Sequence, residues 1–250
     1  MSRADLLEVF QHVASEVRSA VVGIEADALR VRTAQPGQYA LDLVADEVAL
    51  RILHAEGLAV VSEESGATGP DGAGVTVVLD PVDGSTNCAR GISYWAISMC
   101  AVDEHGALAA LVVNQATDTR YAAQRDRGAT RNGVAIRASA VERVEDAVVA
   151  LAGWPARRLA WKQFRALGCA ALALCDLAAG GLDGYLDTGR WHAPWDYLGG
   201  MLICREAGAV VSDRLGEELV VVDLAARRQL VGAATPALHD ALRTAIEVDA

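Results

Sequence analysis

The segment that most constrains this chain is DPVDGSTN, residues 80–87, which follows the apolar run at residues 75–79. A short apolar run bounded by turn-forming residues predicts a buried strand, and this one would end at the carboxylate of Asp80. A second carboxylate, Asp83, follows three residues later. The turn after it consists of small residues: Gly84, Ser85 and Thr86. The pattern predicts two acidic side chains fixed at a strand end beside a flexible turn.

These residue types suit the binding of cations and phosphate. Carboxylates held at a strand end can bind hard divalent cations. Backbone amides of a small-residue turn that opens a helix can receive a phosphate. Two further acidic clusters are predicted at strand or helix ends, namely Glu63-Glu64 and Asp196 in the segment WDYLGG at residues 195–200. Oxygen ligands from separate segments suit magnesium, and the absence of clustered His and Cys from the sequence argues against zinc.

Composition sets limits on the class of protein and its partners. The 250 residues suffice for one large domain or two modest ones, and 52% hydrophobic against 22% charged residues predicts an ample core. The formal net charge of −11 argues against a nucleic-acid surface and against attraction to acidic membranes. The only lysine, Lys162, lies in no glycine-rich loop, which argues against a Schiff-base or P-loop lysine.

The cysteines and the N-terminal residues predict a cytoplasmic location. The five cysteines are scattered and form no C-x-x-C pair, which is typical of reduced thiols. The first residues lack the basic start and apolar core of a signal peptide. No apolar stretch has the length of a membrane span, so no membrane association is predicted.

Periodicity along the chain predicts a layered α+β protein. Helices are predicted at residues 4–30, 39–55, 168–179 and 195–207. Strands are predicted at residues 58–61, 75–79, 94–102, 107–113, 120–124, 148–151, 183–186, 210–211, 220–222 and 230–232. Residues 66–74 read as a surface loop, and Asn132-Gly133 as a turn. Two subdomains are predicted: an N-terminal α+β subdomain over 1–140 with most metal ligands, and a C-terminal α/β subdomain over 141–250 with Asp196 and the substrate-side residues.

Three motifs together resemble one known family. Residues 63–65 (EES), residues 80–87 (DPVDGSTN) and residues 195–200 (WDYLGG) look like the motifs of the inositol monophosphatase family, in the same order and over essentially the whole chain. That family comprises lithium-sensitive, magnesium-dependent phosphomonoesterases. The resemblance implies a layered α-β-α-β-α sandwich of the inositol monophosphatase/fructose-1,6-bisphosphatase type, and a phosphoric monoester hydrolase that uses two or three Mg²⁺ ions.

The resemblance also assigns the metal ligands. Glu63 and Asp80 match ligands of a first ion, and the backbone carbonyl of Val82 completes its protein shell. Asp80, Asp83 and Asp196 match the ligands of a second ion.

The remaining catalytic assignments concern the nucleophilic water and the phosphate. The resemblance makes Asp42, Glu63 and Ser85 the catalytic residues, with Asp42 helping to position the water and a weakly held third ion. Ser85 stands where the family usually has threonine. The amides of Gly84, Ser85 and Thr86 would cradle the phosphate. We expect in-line attack by a metal-activated water without a phosphoenzyme, because two cations can clamp the attacking and leaving oxygens.

Substrate contacts follow from two shorter matches. Gly168, Cys169 and Ala170 resemble the helix start that borders the alcohol part of the substrate in this family. Asp187 aligns with an acid that accepts hydrogen bonds from sugar or inositol hydroxyls, although a surface loop acid is an equally good interpretation. Departures from the family pattern are Cys88 after Asn87, the bulky segment at residues 190–194, and a loop at residues 33–38 without the usual lysine and acids.

Several residues have simpler structural interpretations. Asp42 could be an ordinary acid in the first turn of a helix, stabilised by the helix dipole. Glu64 could be a structural acid that orients its neighbour. Trp154, Trp161 and Trp191 could line a pocket or a subunit contact. His192 could touch substrate, yet a lone histidine is more often structural.

The leading functional hypothesis is hydrolysis of a small polyol phosphate, inositol monophosphate first. Alternatives within the class are histidinol phosphate, fructose 1,6-bisphosphate, another cyclitol or sugar phosphate, and 3′-phosphoadenosine 5′-phosphate. A different class is a regulatory family member that acts through protein or RNA contacts, and the weakest alternative is a structural magnesium-binding protein. The resemblance further implies a homodimer and inhibition by lithium.

Overall fold

The computed structural model describes residues 3–70, 72–156 and 159–247. Two short 3₁₀ turns lie at Ala28–Arg30 and Val144–Asp146. The α-helices in these ranges are α1 (Arg3–Val22), α2 (Ala40–Ala55), α3 (Ser85–Ala89), α4 (Ala170–Ala178), α5 (Pro194–Glu206) and α6 (Pro236–Glu247).

The N-terminal half forms an eight-stranded sheet. Its strands are β1 (Ala59–Ser62), β2 (Gly66–Thr68), β3 (Thr76–Asp83), β4 (Ala96–Asp103), β5 (Gly106–Asn114), β6 (Thr119–Gln124), β7 (Ala129–Arg131) and β8 (Val134–Ala135). Their order is β2-β1-β3-β4-β5-β6-β7-β8. Only β1 and β3 pair in parallel; the other pairs described are antiparallel. Parallel pairing brings the carboxyl ends of β1 and β3 side by side.

The C-terminal half forms a second sheet of five strands. They are β9 (Val148–Ala152), β10 (Gln163–Arg165), β11 (Gly184–Asp187), β12 (Val210–Asp213) and β13 (Leu230–Ala233). Their order is β10-β9-β11-β13-β12, with β9 parallel to both of its neighbours. Ligand sites in open sheets lie at the carboxyl ends of such parallel strands.

The period-two alternation of side chains along the strands builds five layers. On β3, Val77 and Leu79 pack with α1 and α2, whereas Val78 packs with α4 and α5 on the opposite face. The second sheet covers the other side of α4 and α5, and Leu238 and Leu242 of α6 pack on its outer face. The chain therefore has the layered α-β-α-β-α sandwich that the sequence predicts.

Most predicted elements are confirmed, with some corrections. The first helix ends at Val22 rather than near residue 30, because Gly23 and polar residues interrupt it. Residues 66–74, predicted as a loop, contain the short strand β2, which pairs with β1. Residues 220–222, predicted as a strand, pair with no described strand and are irregular. The short strands β7, β8 and β10 and the helices α3 and α6 were not predicted.

The two halves share one hydrophobic core. The eight-stranded sheet lies within residues 59–135 and the five-stranded sheet within residues 148–233. Side chains of both sheets pack with α4 and α5 in the same cluster. The subdomain boundary near residue 140 stays a prediction. All five cysteines are buried and unpaired. Among the described residues, no helix is both long enough and apolar enough to cross a membrane.

Candidate active site

A bend in β3 presents the two aspartates of the DPVD motif. Asp80 pairs with Ser98 of β4 and Asp83 with Ala96, so the register shifts between them. Asp80 is 1% exposed, and its Oδ1 accepts a hydrogen bond from the Val82 amide at 3.0 Å. A bulge of this kind redirects side chains and is common beside active sites.

Asp83 is held from the opposite side by the start of α4. Its Oδ2 accepts hydrogen bonds from the Ala171 amide at 2.7 Å and from the Cys169 thiol at 3.1 Å. Cys169, predicted as a substrate contact, therefore orients an aspartate with its thiol and lines the adjacent cavity.

The turn after β1 brings Glu63 and Glu64 to the same place. Ser62 is the register partner of Leu79, so Glu63 follows β1 at the height of Asp80. Asp46, buried on α2, accepts hydrogen bonds from the hydroxyls of Ser62 and Ser65, which fixes this turn.

Asp42 and Asp196 occupy equivalent positions on two helices. Each is the third residue of its helix, and each accepts a hydrogen bond at 2.7 Å from a backbone amide preceding it, Tyr39 or Ala193. In each case the Oδ2 atom accepts this hydrogen bond and so caps the start of the helix. In the described part of the chain, Oδ1 of Asp42 is buried with no hydrogen-bond partner. The structural and functional interpretations of Asp42 are thus compatible, because the carboxylate has two oxygens.

Burial, and then the charges of neighbouring carboxylates, raise the pKa values of several acidic side chains in this cluster. Desolvation, followed by the charges of Asp196, Glu64, Asp83 and Asp42, raises the pKa of Glu63 to about 8. Glu63 is nevertheless exposed to solvent at the loop side of the cluster, so solvent screens part of this repulsion.

The pKa values of three neighbouring aspartates are raised as well. Burial, followed by the charges of Glu63, Asp83 and Asp196, raises the pKa of Asp80 well above its ordinary value. Desolvation raises the pKa of Asp42 to about 7, and desolvation together with Asp196 raises that of Asp83 to about 6. Carboxylates gathered so closely favour protonation or a bound cation.

The donor chemistry fits a hard divalent ion. Within the described ranges, no group of three His, Cys, Asp or Glu side chains already stands in a chelating arrangement, so the carboxylates would have to turn towards an ion. Every nearby carboxylate offers oxygen, the ligand atom that Mg²⁺ prefers, and the unpartnered Oδ1 of Asp42 would gain a partner. The residues that could hold ions are Glu63, Asp80, Asp83, Asp196 and the carbonyl of Val82.

Two cavities open beside this cluster. The loop-side cavity, of about 160 Å³, contains Asp42, Glu63, Glu64, Val82 and Ser85. Residues 35–38 of the loop also line it, and the Gln38 side chain donates a hydrogen bond to Glu64.

The β9-side cavity, of about 190 Å³, lies on the other side of Asp83 and Asp196. Gly168, Cys169 and Ala170 line it, as predicted for the alcohol side, together with the carboxyl end of β9. Most of the predicted site residues thus line one of the two cavities, whereas Asp80, Gly84, Thr86 and Asp187 are in the lining of neither.

Gly84, in the turn after β3, cannot carry a side chain without a close contact. Gly84 has φ +87°, and a Cβ there would lie 3.0 Å from the Gly168 carbonyl oxygen. Asn87 ties the same two segments together, because its side-chain amide donates to the carbonyls of Tyr94 and Leu167 at 2.8 Å. Ser85 opens α3 on the loop-side cavity, and Thr86 is exposed.

Asp187 lies at the end of β11, where its carboxylate is bonded to the backbone of the following loop. Its side chain is fully buried and does not line either cavity. Its two oxygens accept hydrogen bonds from the amides of Gly189, at 2.9 Å, and Trp191, at 3.0 Å. The geometry makes Asp187 a support for the loop that follows β11, and the substrate contact stays a prediction.

The structure adds residues that the sequence did not indicate. Ala150, Leu151 and Ala152 line the β9-side cavity because β9 ends there, and Tyr185 of β11 lines it beside His192. The available signal was the predicted strand at residues 148–151, since ligands bind at the carboxyl ends of parallel strands.

Comparison with known proteins identifies relatives over most of the chain. A model of the inositol monophosphatase family matches residues 11–248. A fructose-1,6-bisphosphatase/inositol-1-monophosphatase of Archaeoglobus fulgidus is 35% identical over 231 residues, covering 88% of each chain. The Nus factor SuhB of Vibrio cholerae is 34% identical over 172 residues, covering 63% of each chain.

A solved structure gives the same fold. The chain matches a hypothetical protein of Pyrococcus horikoshii, described as having similarities to inositol-1 monophosphatase, with a TM-score of 0.89. The match covers 98% of this chain and 99% of the other at 24% identity. Similarity at that identity supports the architecture alone.

Proposed function

Because the chain belongs to the inositol monophosphatase family, we propose that it hydrolyses a small polyol phosphate monoester with Mg²⁺, inositol monophosphate first. Family membership makes it a phosphatase of a generally metal-dependent class. The ion and the substrate are the proposed part.

The meeting of carboxylates from separate elements carries this proposal. Glu63 follows β1, Asp80 and Asp83 lie on β3, and Asp196 lies on α5, yet burial and the charge of Asp196 raise the pKa values of Glu63, Asp80 and Asp83. An uncompensated cluster of this kind would cost stability, whereas a divalent ion would offset it.

The residues around the cluster suggest a division of roles. Mg²⁺, when bound, would supply positive charge that neutralises the phosphate and lowers the pKa of water. Asp42 and Ser85, which share the loop-side cavity with Glu63, would hold the attacking water in line with the phosphorus. The amides that open α3, at Gly84, Ser85 and Thr86, would bind the phosphoryl oxygens, since first-turn amides have no intrahelical partner. The β9-side cavity would hold the alcohol part.

A substrate panel tests the proposal. Phosphate release with Mg²⁺ would be measured for inositol 1-phosphate, fructose 1,6-bisphosphate, histidinol phosphate and 3′-phosphoadenosine 5′-phosphate. We expect the highest kcat/KM for inositol 1-phosphate. A higher kcat/KM for another member would replace the substrate while leaving the reaction class intact.

A regulatory role is the second candidate, favoured by the similarity to a relative named Nus factor SuhB. The acidic net charge of −11 disfavours direct contact with nucleic acid. Failure to release phosphate from any monoester in the presence of Mg²⁺ would favour this candidate. A homodimer, inhibition by lithium and a cytoplasmic location remain predictions from the resemblance and the sequence.

A further inference from the structure

The segment at residues 190–194 holds a solvent-exposed tryptophan, Trp191, on a backbone that is hydrogen-bonded to neighbouring segments. Trp191 is 66% exposed. Its amide donates to Asp187 at 3.0 Å, and the preceding Arg190 pairs with Glu217 at 2.8 Å. An exposed aromatic side chain on a fixed backbone loses little entropy when it contacts a ligand.

The residue after Trp191 is fixed as well. His192 and Arg228 exchange backbone hydrogen bonds at 3.3 and 2.8 Å. The side chain of His192 is buried, and its Nε2 lies 2.5 Å from the Tyr185 hydroxyl. The segment is therefore anchored on both sides of the exposed indole.

The indole lies close to residues that border the β9-side cavity. It contacts Gly189, where a Cβ would meet the indole Nε1 at 2.0 Å, and its Nε1 would be 3.5 Å from a Cβ at Gly153. Ala152 and His192, the chain neighbours of Gly153 and Trp191, both line the cavity. The glycines leave room for the indole to lie against the backbone.

The β9-side cavity has a mixed lining. Its apolar part consists of small or branched side chains: Ala150, Leu151, Ala152, Leu167, Ala170 and Ala173. The hydrogen-bonded pair Tyr185–His192 adds polar groups to the same lining, with Tyr185 next to Ala150 on the adjacent strand. A ring alcohol matches this lining, because it presents a flat apolar C–H or aromatic face and a polar edge.

We propose that Trp191 is a specificity-determining residue that stacks on the ring of the substrate's alcohol part. This inference rests on the proposed function and specifies its substrate class as the phosphate monoester of a cyclic alcohol. Acyclic polyol phosphates lack the flat face and gain nothing from the indole.

The test compares ring and acyclic substrates in matched variants. For wild type and Trp191→Ala, kcat/KM with Mg²⁺ is measured on inositol 1-phosphate, phenyl phosphate and glycerol 1-phosphate. We expect a loss of roughly 5- to 10-fold on ring substrates and less than about 2-fold on glycerol 1-phosphate, from the usual strength of aromatic stacking. If kcat/KM falls for inositol 1-phosphate alone, the indole recognises a saturated ring, and if it falls for phenyl phosphate alone, an aromatic ring. Trp191→Phe should retain most of the wild-type kcat/KM on the ring substrate.

Trp154→Ala provides the control. Trp154 is 68% exposed on the neighbouring loop, but its ring packs edge-on against Phe164 at 5.3 Å. We expect Trp154→Ala to change kcat/KM by the same factor for all three substrates. An equal loss on all substrates in Trp191→Ala, or no loss on either ring substrate, would overturn the inference.

A binding measurement separates this inference from the proposed function. Binding of free inositol and of glycerol is followed by saturation-transfer NMR, which needs no turnover. A weaker inositol signal in Trp191→Ala, with glycerol unchanged, supports the inference even if no substrate is hydrolysed. Equal inositol signals in the two proteins contradict it, whatever the outcome of the substrate panel.

Discussion

Individual residues at this site serve the fold and the proposed chemistry at once. The carboxylate of Asp83 binds the start of α4 through one oxygen, and Asp42 and Asp196 each cap a helix through Oδ2. A carboxylate that is fixed by one oxygen presents the other in a defined direction, which lowers the entropy cost of binding an ion.

Asp80→Asn tests the centre of the carboxylate cluster. We expect kcat to fall by roughly 10³-fold, or about 4 kcal/mol, because the substitution removes a charge shared by both proposed ion sites. Phosphate release would be measured after removal of metals by a chelator and replenishment with Mg²⁺. Asp118→Asn is the control, since Asp118 lies in an exposed turn with φ +58° that asparagine tolerates. Undiminished turnover in Asp80→Asn would contradict the assignment.

Gly84→Ala tests the close approach of the motif to the loop before α4. Gly84 and Gly208 have φ of +87° and +88°, but only a Cβ at Gly84 would meet backbone atoms, at 3.0 Å from the Gly168 oxygen. Both alanine variants should lose about 1 kcal/mol of unfolding free energy from the left-handed conformation. Gly84→Ala should lose roughly 1–3 kcal/mol more from overpacking, together with its activity. Equal changes in thermal stability would exclude the steric argument.

At the scale of elements, the glycines of the WDYLGG motif set how closely α5 packs. A Cβ at Gly199 would lie 2.7 Å from the Ser98 hydroxyl of β4, and one at Gly200 would lie 2.6 Å from the Leu174 Cβ of α4. Because Asp196 precedes Gly200 by about one helical turn, the depth of this packing also places the carboxylate.

Gly200→Ala should separate α4 from α5. The alanine gains about 1 kcal/mol of helix propensity but meets the Leu174 side chain, and overpacking of this kind costs roughly 1–3 kcal/mol. We expect a net loss in the unfolding free energy from denaturant titration and reduced phosphate release. Gly74→Ala, at an exposed glycine with no neighbour within 4 Å of the added Cβ, should be neutral within about 0.5 kcal/mol. A neutral Gly200→Ala variant would show that the helices can adjust.

Elements were predicted well where a local pattern specifies them. The helical spacing of Leu41, Val44 and Val48 predicts α2, and the apolar run before Asp80 predicts β3. Short strands such as β2 and β10 were not predicted because neither carries a periodic apolar pattern. Their strand character comes from pairing with β1 and β9, which tertiary structure provides.

At the scale of the whole molecule, negative charge dominates. The net charge is −11, and several carboxylates are concentrated in one cluster with raised pKa values. A cation at that cluster would reduce both the local repulsion and the overall charge.

The metal-free protein should therefore lose stability as pH rises. The pKa of Glu63 is raised from 4.5 to about 8, and that of Asp42 from 3.8 to about 7. At pH values between the ordinary and the raised pKa of each group, the folded chain binds more protons than the unfolded chain. The unfolding free energy therefore falls as pH increases through this range. Thermal unfolding in chelator should give a lower Tm at about pH 8 than at about pH 5.

Added Mg²⁺ should raise Tm more at the higher pH, because protons compete with the ion for the carboxylates. Glu63→Gln should flatten the pH dependence in chelator, whereas Glu145→Gln, at a half-exposed surface carboxylate, should leave it unchanged. A Tm that rises with pH in the metal-free protein would contradict the raised pKa values.

The sequence by itself determined the acidic motifs, the layered fold and the family, because each depends on residues close together in the chain or on regular periodicity. Only the tertiary structure decided what surrounds them. It showed Asp187 bonded to the backbone of a loop, placed the end of β9 beside Asp83, and put Trp191 next to residues that line the same cavity. Those placements depend on which distant strands pair and how closely helices approach, and no local pattern specifies such long-range contacts.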